Sequence, residues 1–139
     1  MAIVTEPPTI PTSGPLPTPS NPDEARDVLK NAAFDAPNVQ LIVMEATEFT
    51  ALCPRTGQPD YGSVTIEYTP KELCIESKAL KYYLWSFRNE GAFCESIAGR
   101  IADDIVYAID PAGVRVEVTQ NIRGGIGIVA RATRGELEI

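Results

Sequence analysis

The chain has 139 residues, a formal net charge of −7 and no histidine. Its length suits a single domain, and its negative charge is opposite to what neutralising nucleic-acid phosphates requires, so no direct nucleic-acid partner is expected. The absence of histidine excludes Cys-His dyads, Ser-His-Asp triads and His-containing zinc sites. Any general acid or base must therefore be a carboxyl, a thiol, a lysine or a tyrosine.

The first 22 residues are rich in Pro, Ser and Thr, which predicts a disordered or loosely docked arm ahead of one domain over residues 23–139. No apolar run approaches the roughly 20 residues of a spanning helix, so no membrane partner is expected. The three cysteines are an odd number, and the N-terminus lacks the features of a signal peptide. These features predict a reducing, cytoplasmic setting.

The domain begins with helix signals and continues with strand patterns. Asn21 is a candidate N-cap and Pro22 suits a first helical position, so a helix is expected from about Ala25 to Ala33. The β-branched run over residues 39–49 predicts a strand, and strict alternation over residues 63–68 predicts a second. Residues 73–76 are expected to extend the same sheet.

Two amphipathic helices are predicted next. Ser77 is the expected N-cap of the first, whose apolar residues at helical spacing are Leu80, Tyr83, Leu84 and Phe87. The second has apolar residues at Phe93, Ile97, Ile101, Ile105 and Ile109 and ends before Pro111.

Two more strands are expected over residues 114–118 and 126–132, separated by a glycine-rich loop. The order ββααββ predicts an α+β fold, an antiparallel four-stranded sheet with both helices on one face. The two open edges of such a sheet favour assembly into a homo-oligomer.

The loop from Cys53 to Asp60 lies between the first two strands, because Pro54, Gly57 and Pro59 exclude both helix and central strand. A thiol and a carboxylate on one loop suit a nucleophile and a proton donor. On the residues alone, Cys53 as a small buried side chain and Asp60 as a turn-former remain open.

Three stretches resemble the NADPH-dependent 7-cyano-7-deazaguanine reductases, the nitrile reductases of queuosine biosynthesis, in their short single-domain form. They are residues 48–60 (EFTALCPRTGQPD), residues 76–84 (ESKALKYYL) and residues 123–125 (RGG). The resemblance implies the tunnelling fold, in which the sheets of several subunits form a barrel with sites between subunits. The expected assembly is two stacked pentamers, a decamer.

The resemblance also implies the chemistry. Cys53 attacks the nitrile carbon of 7-cyano-7-deazaguanine to give a thioimidate, and two hydrides from NADPH complete the reduction to the 7-aminomethyl product. Asp60 is the implied proton donor, and no metal is expected. The implied substrate-binding residues are Ile75, Glu76, Ser77, Cys94 and Glu95. The implied cofactor-binding residues are Lys78, Lys81, Arg123, Gly124 and Gly125.

Some of these residues have simpler explanations from the sequence alone. Glu95 also suits the first turn of a helix, and Lys78 and Lys81 also suit a solvated helix face. Cys94 departs from the family, which has a histidine there, and a thiol cannot replace an imidazole as a proton relay. If Cys94 lies beside Cys53, the two sulfurs are within reach of a disulfide.

Two alternatives to the reductase follow. Because Cys94 replaces the histidine, the chain is also consistent with a protein that binds the deazapurine nitrile but reduces it poorly. Another enzyme of the same fold, a cyclohydrolase or a tRNA amidinotransferase, is disfavoured by the missing histidine and the acidic charge.

Overall fold

The computed structural model describes residues 9–11 and 14–138. Residues 14–21 form no helix or strand, and the rest of the predicted arm, residues 1–8, 12 and 13, lies outside the described residues. Helix α1 spans Pro22–Ala32 and begins as expected. The side chain of Asn21 accepts a hydrogen bond of 2.9 Å from the Glu24 N–H, which satisfies one free donor of the first turn.

The predicted antiparallel four-stranded sheet is confirmed, with strand order β2-β3-β5-β6. The strands are β1 Phe34–Asp35, β2 Ile42–Leu52, β3 Pro59–Thr69, β4 Leu73–Cys74, β5 Gly113–Arg123 and β6 Ile126–Gly135. The two helices between β4 and β5 are α2 Ser77–Trp85 and α3 Cys94–Ile109. Within residues 9–11 and 14–138, no helix is long and apolar enough to cross a membrane.

The core lies between one face of the sheet and the helices. Val64 and Ile66 of β3 and Val116 of β5 are at most 1% exposed, and they belong to one apolar cluster with Ile101 and Ile105 of α3. Successive side chains of a strand point to opposite faces of the sheet, so the residues between these core positions lie on the other face. On that face, large apolar side chains remain exposed, namely Val43, Tyr61 and Val129.

Three local predictions were wrong. The loop that begins at Cys53 ends before Pro59, which takes the first position of β3, so Asp60 lies on a strand. Residues 73–76 do not extend the main sheet: β4 pairs with β1 in a separate two-stranded sheet. The physical reason is that β2 and β5 already pair with both edges of β3, so the chain leaving β3 finds no free edge beside it. The N-cap of α2 is Glu76 rather than Ser77, and the Glu76 carboxylate accepts two backbone N–H groups.

The three helices are joined by a buried carboxylate. Asp104 of α3 is 2% exposed. It accepts hydrogen bonds from the Tyr83 hydroxyl of α2 at 2.5 Å and from Arg100 Nε at 2.9 Å. Arg26 of α1 lies 3.5 Å from its other oxygen. Loss of this carboxylate is costly, because it leaves the buried Tyr83 hydroxyl without its acceptor and removes an ionic partner from Arg26 and Arg100.

We therefore expect Asp104→Ala to lower the free energy of unfolding by about 3 kcal/mol. Urea unfolding followed by circular dichroism measures this change. Asp103→Ala is the matched control: Asp103 is the next residue on α3, and its pair with Arg134 is exposed, so its loss should cost at most about 1 kcal/mol. Equal losses in the two variants would contradict the role given to Asp104.

Candidate active site

Cys53 is held at the end of β2 by a short closed loop. Its N–H donates to the Gln58 carbonyl oxygen and its carbonyl oxygen accepts from the Gly57 N–H, both at 2.8 Å. Gly57 has a φ of 70°, a backbone conformation that residues other than glycine rarely adopt. The loop is therefore fixed on the strands that bracket it, as the sequence predicted.

The Cys53 thiol is free and is surrounded by hydrogen-bond donors. The Thr56 hydroxyl, the backbone N–H groups of Arg55 and Thr56 and the Arg123 guanidinium together lower the pKa of Cys53 to about 7, against burial, which raises it. The lowered pKa favours the thiolate, which is the reactive form of a cysteine. The loop thus presents an activated nucleophile.

Thr56 was not identified from the sequence, although its hydroxyl has the largest effect on the Cys53 thiol. Because the lowered pKa means that thiolate is present above about pH 7, alkylation of Cys53 by iodoacetamide should reach half its maximal rate near that pH. We expect Thr56→Val to move this midpoint upward and to slow alkylation at pH 7 about fivefold. Peptide mass spectrometry across a pH series measures the rate at Cys53.

Thr133→Val makes the same change at an exposed position on β6 and serves as the control. It should leave the alkylation profile of Cys53 unchanged. A Thr56→Val profile that coincides with that of the control would rule out the hydroxyl as an activator of Cys53.

Arg123 interacts with both Asp60 and Cys53. Asp60 is on β3 opposite Ala51, and its carboxylate forms an ion pair with the Arg123 guanidinium. Arg123 stands at the end of β5 and helps to lower the pKa of the Cys53 thiol. The structure therefore brings together the predicted nucleophile, the predicted proton donor and a residue predicted to bind the cofactor. The contacts of Arg123 with the other two were not predicted.

Cys94 also lies near Asp60. It is the first residue of α3, and its thiol donates to the Val118 carbonyl oxygen at 3.5 Å. Burial raises the pKa of Cys94, and the nearby carboxylates of Glu95 and Asp60 raise it further. A cavity of about 20 Å³ beside both Cys94 and Asp60 has room for about one water molecule. Cys94 is thus a protonated, buried thiol.

The cysteine pairing considered above is not formed. Cys53, Cys74 and Cys94 are all free thiols. Within residues 9–11 and 14–138, no group of three or more His, Cys, Asp or Glu side chains is arranged to hold a metal ion.

The predicted substrate residues at the start of α2 form a second group. Both carboxylate oxygens of Glu76 accept backbone N–H groups, from Lys78 at 2.9 Å and from Ala79 at 2.8 Å. Each oxygen keeps another lone pair for a ligand. The Ile75 N–H donates to the Tyr68 hydroxyl at 3.0 Å. Ser77 is exposed, and Glu95 is exposed in the first turn of α3.

An open groove of about 1320 Å³ runs between β2 and α2. Its wall includes Ser77 and Lys81 of α2, together with Leu52 and Pro59, the neighbours of Cys53 and Asp60. Arg88, which was not predicted, also lines it. The groove therefore places cationic side chains, which suit a phosphorylated cofactor, on a path to the Cys53 loop.

The remaining predicted cofactor residues do not line this groove. The Lys78 ammonium donates to the carbonyl oxygen of Pro11 in the arm. Gly124 and Gly125 have φ values of 62° and 81° and form the two-residue turn between β5 and β6. Positive φ at both positions of such a turn favours glycine. These glycines therefore have a conformational reason to be there, apart from any contact with a cofactor.

The solved structures show the same fold. The crystal structure of the archaeosine synthase QueF-Like in the apo form superposes with a TM-score of 0.68, at 22% identity, over 73% of this chain and 100% of that chain. At this identity the similarity concerns the fold, which is the tunnelling fold expected from the sequence.

Curated relatives are more similar in sequence. A protein of Anaeromyxobacter sp. (strain K) is 50% identical over 95 residues, which cover 68% of this chain and 78% of that protein. One of Thiobacillus denitrificans is 51% identical over 85 residues, 61% of each chain. Both are named NADPH-dependent 7-cyano-7-deazaguanine reductase. The family model described as QueF-like protein matches residues 59–138, more than half of the chain. This chain therefore belongs to the QueF-like protein family.

Proposed function

We propose that this protein reduces the nitrile of 7-cyano-7-deazaguanine to the aminomethyl group of 7-aminomethyl-7-deazaguanine, with NADPH, in queuosine biosynthesis. The relatives that are half identical to it carry the name of this reductase. The observation that supports it most is the Cys53 thiol, whose pKa is lowered to about 7 by the Thr56 hydroxyl, by backbone N–H groups and in part by Arg123, the residue that also forms an ion pair with the Asp60 carboxylate. A nitrile carbon is an electrophile that such a thiolate attacks.

In the proposed mechanism, the Cys53 sulfur forms a bond to the nitrile carbon, and the nitrile nitrogen takes a proton to give a thioimidate. Asp60 is the proposed donor of that proton and of the proton needed at the imine nitrogen later. After a hydride has been added to the thioimidate carbon, the carbon–sulfur bond breaks, Cys53 leaves as a thiolate and an imine remains for the second hydride. When bound, NADPH supplies hydride, and the conversion of a nitrile to a primary amine takes two hydrides and two protons.

The substrate ring is proposed to bind through carboxylates. Glu76 and Glu95 accept hydrogen bonds from the ring N–H and amino groups, because ionised carboxylates are acceptors only. Ile75, Ser77 and Cys94 complete the proposed substrate site. The proposed cofactor residues are Lys78, Lys81, Arg123, Gly124 and Gly125. The groove supports this assignment, because Ser77 and Lys81 share its wall with the neighbours of Cys53 and Asp60.

The proposed assembly is a homo-oligomer of two stacked pentamers with sites between subunits. Two observations support it: β2 and β6 are the edge strands of the sheet, and apolar side chains are exposed on its open face. Both features favour contact with another copy.

We assign catalysis to residues 23–139, with residues 1–22 as an arm. The three free thiols fit a cytoplasmic location.

Intact-protein mass spectrometry tests the proposal. Incubation with 7-cyano-7-deazaguanine in the absence of NADPH should raise the protein mass by the mass of the whole ligand, because thiol addition to a nitrile expels no group. Addition of NADPH should then restore the original mass and release the amine. If no adduct forms and no amine appears, the proposed function is wrong.

One observation favours a second candidate, a protein that captures the nitrile covalently but does not reduce it. Cys94 stands where the family has a histidine, and its thiol is buried and bonded to the Val118 carbonyl oxygen. It therefore offers no proton relay near neutral pH. An adduct that persists after NADPH is added would support capture over reduction.

A further inference from the structure

Arg123 contacts both reactive side chains of the proposed site. Its guanidinium forms an ion pair with the Asp60 carboxylate, whose side chain is only 13% exposed. The same guanidinium is close enough to the Cys53 sulfur to help lower the pKa of the thiol, after the larger effects of the Thr56 hydroxyl and the backbone N–H groups of Arg55 and Thr56. One cation thus stands between two groups that repel each other when both are ionised.

The backbone explains why Arg123 reaches this position. The pairing of β5 with β6 shifts between Gln120 and Arg123, where β5 has one more residue than β6. Such a β-bulge changes the direction of the side chains that follow it. The Gly124-Gly125 turn follows immediately. The end of this hairpin therefore directs Arg123 toward the loop that carries Cys53 and the strand that carries Asp60.

The other titratable groups around this cluster do not replace Arg123. Arg55, in the loop itself, contributes its backbone N–H to Cys53. Cys94 faces Asp60 from α3, but burial raises the pKa of its thiol and keeps it neutral. Glu95, next to Cys94, is exposed, and an acidic side chain cannot offset negative charge on Cys53 or Asp60.

We propose that Arg123 is a positioning residue, which holds Cys53 in its thiolate form and orients Asp60 beside it before NADPH binds. This role rests on the proposed reductase function and adds to it, because an arginine that bound only the cofactor would not affect the first bond to the nitrile. The planar guanidinium has five donors in a fixed arrangement, so it can contact both partners at once. A lysine in its place has a single charged nitrogen and retains only part of the effect.

The alkylation profile of Cys53 tests this role without substrate or cofactor. We expect Arg123→Gln to move the midpoint for iodoacetamide alkylation upward from about pH 7 and to slow alkylation at pH 7 several-fold. Arg123→Lys should give an intermediate profile. Arg131→Gln is the control, because Arg131 is exposed on β6 and pairs with Glu117, and it should match the wild type. A wild-type profile for Arg123→Gln would overturn the proposal.

The rate of adduct formation with 7-cyano-7-deazaguanine, measured without NADPH, links this role to the reaction. Arg123→Gln should slow the adduct several-fold, because it removes a cation that favours the Cys53 thiolate and the ion pair that orients Asp60. An unchanged adduct rate combined with a higher KM for NADPH would mean that Arg123 serves the cofactor alone, and would overturn the proposal.

The two claims can fail separately. If wild-type protein forms no adduct with the nitrile, the reductase function fails, and the alkylation profiles still decide whether Arg123 activates Cys53. Circular dichroism establishes that each variant is folded. If Arg123→Gln does not fold, the comparison between Arg123→Lys and wild type decides, with identical profiles counting against the proposal.

Discussion

Replacement of Cys53 by alanine is expected to abolish both adduct formation and NADPH oxidation, a loss of at least about 10³-fold in turnover. Cys53 forms the covalent bond to the nitrile carbon in the proposed mechanism, and no neighbouring group can take its place. Burial raises the pKa of Cys94, the other thiol near the site, so it is a poor nucleophile near neutral pH. Mass spectrometry and absorbance at the reduced nicotinamide band measure the two losses.

Cys74→Ala is the control for this variant. It removes a thiol of the same size that lies in β4 and is 2% exposed, outside the proposed site. The folded Cys74→Ala protein should form the adduct at close to the wild-type rate. NADPH oxidation by Cys53→Ala at the wild-type rate would exclude covalent catalysis by this residue.

Asp60→Asn is expected to lower kcat by about 10²- to 10⁴-fold, the usual contribution of a general acid. The amide has nearly the same shape as the carboxyl but cannot release a proton to the nitrile or imine nitrogen. Alkylation of Cys53 by iodoacetamide needs no such proton, so it should change by only a few fold. Steady-state kinetics and the alkylation rate together separate loss of the proton donor from loss of the nucleophile.

Asp103→Asn provides the matched change on α3, where the carboxylate is exposed, and should retain wild-type kcat. A kcat for Asp60→Asn within a few fold of wild type would remove Asp60 from the mechanism. A parallel loss of Cys53 alkylation would instead assign Asp60 a structural role in the loop.

The spacing of apolar residues predicted most of the fold, because a strand or helix that is buried on one face has apolar residues at regular intervals in the sequence. The alternation in β3 and β5 and the helical spacing of Ile97, Ile101 and Ile105 locate the elements that form the core. The pairing of β1 with β4 could not be predicted in this way. Each of these strands has two residues, too few for a period, and they are joined by a contact across 40 positions of the chain.

The proposed site was predicted in part. Cys53 lies in one loop and Asp60 on the strand that follows it, so their short separation in the sequence indicates that they lie close together. Arg123 is 63 positions from Asp60, and its direction is set by a bulge in β5, which the sequence does not reveal. Glu76 rather than Ser77 caps α2 because a carboxylate can accept two N–H groups at once.

The most direct test of the reductase assignment is NADPH oxidation, followed at about 340 nm, the absorbance band of the reduced nicotinamide. Purified protein is mixed with NADPH and a limiting, known amount of 7-cyano-7-deazaguanine. We expect two NADPH to be consumed and one molecule of the 7-aminomethyl product to appear for each molecule of substrate. No substrate-dependent oxidation of NADPH, in protein that is folded and carries a reactive Cys53, would contradict it.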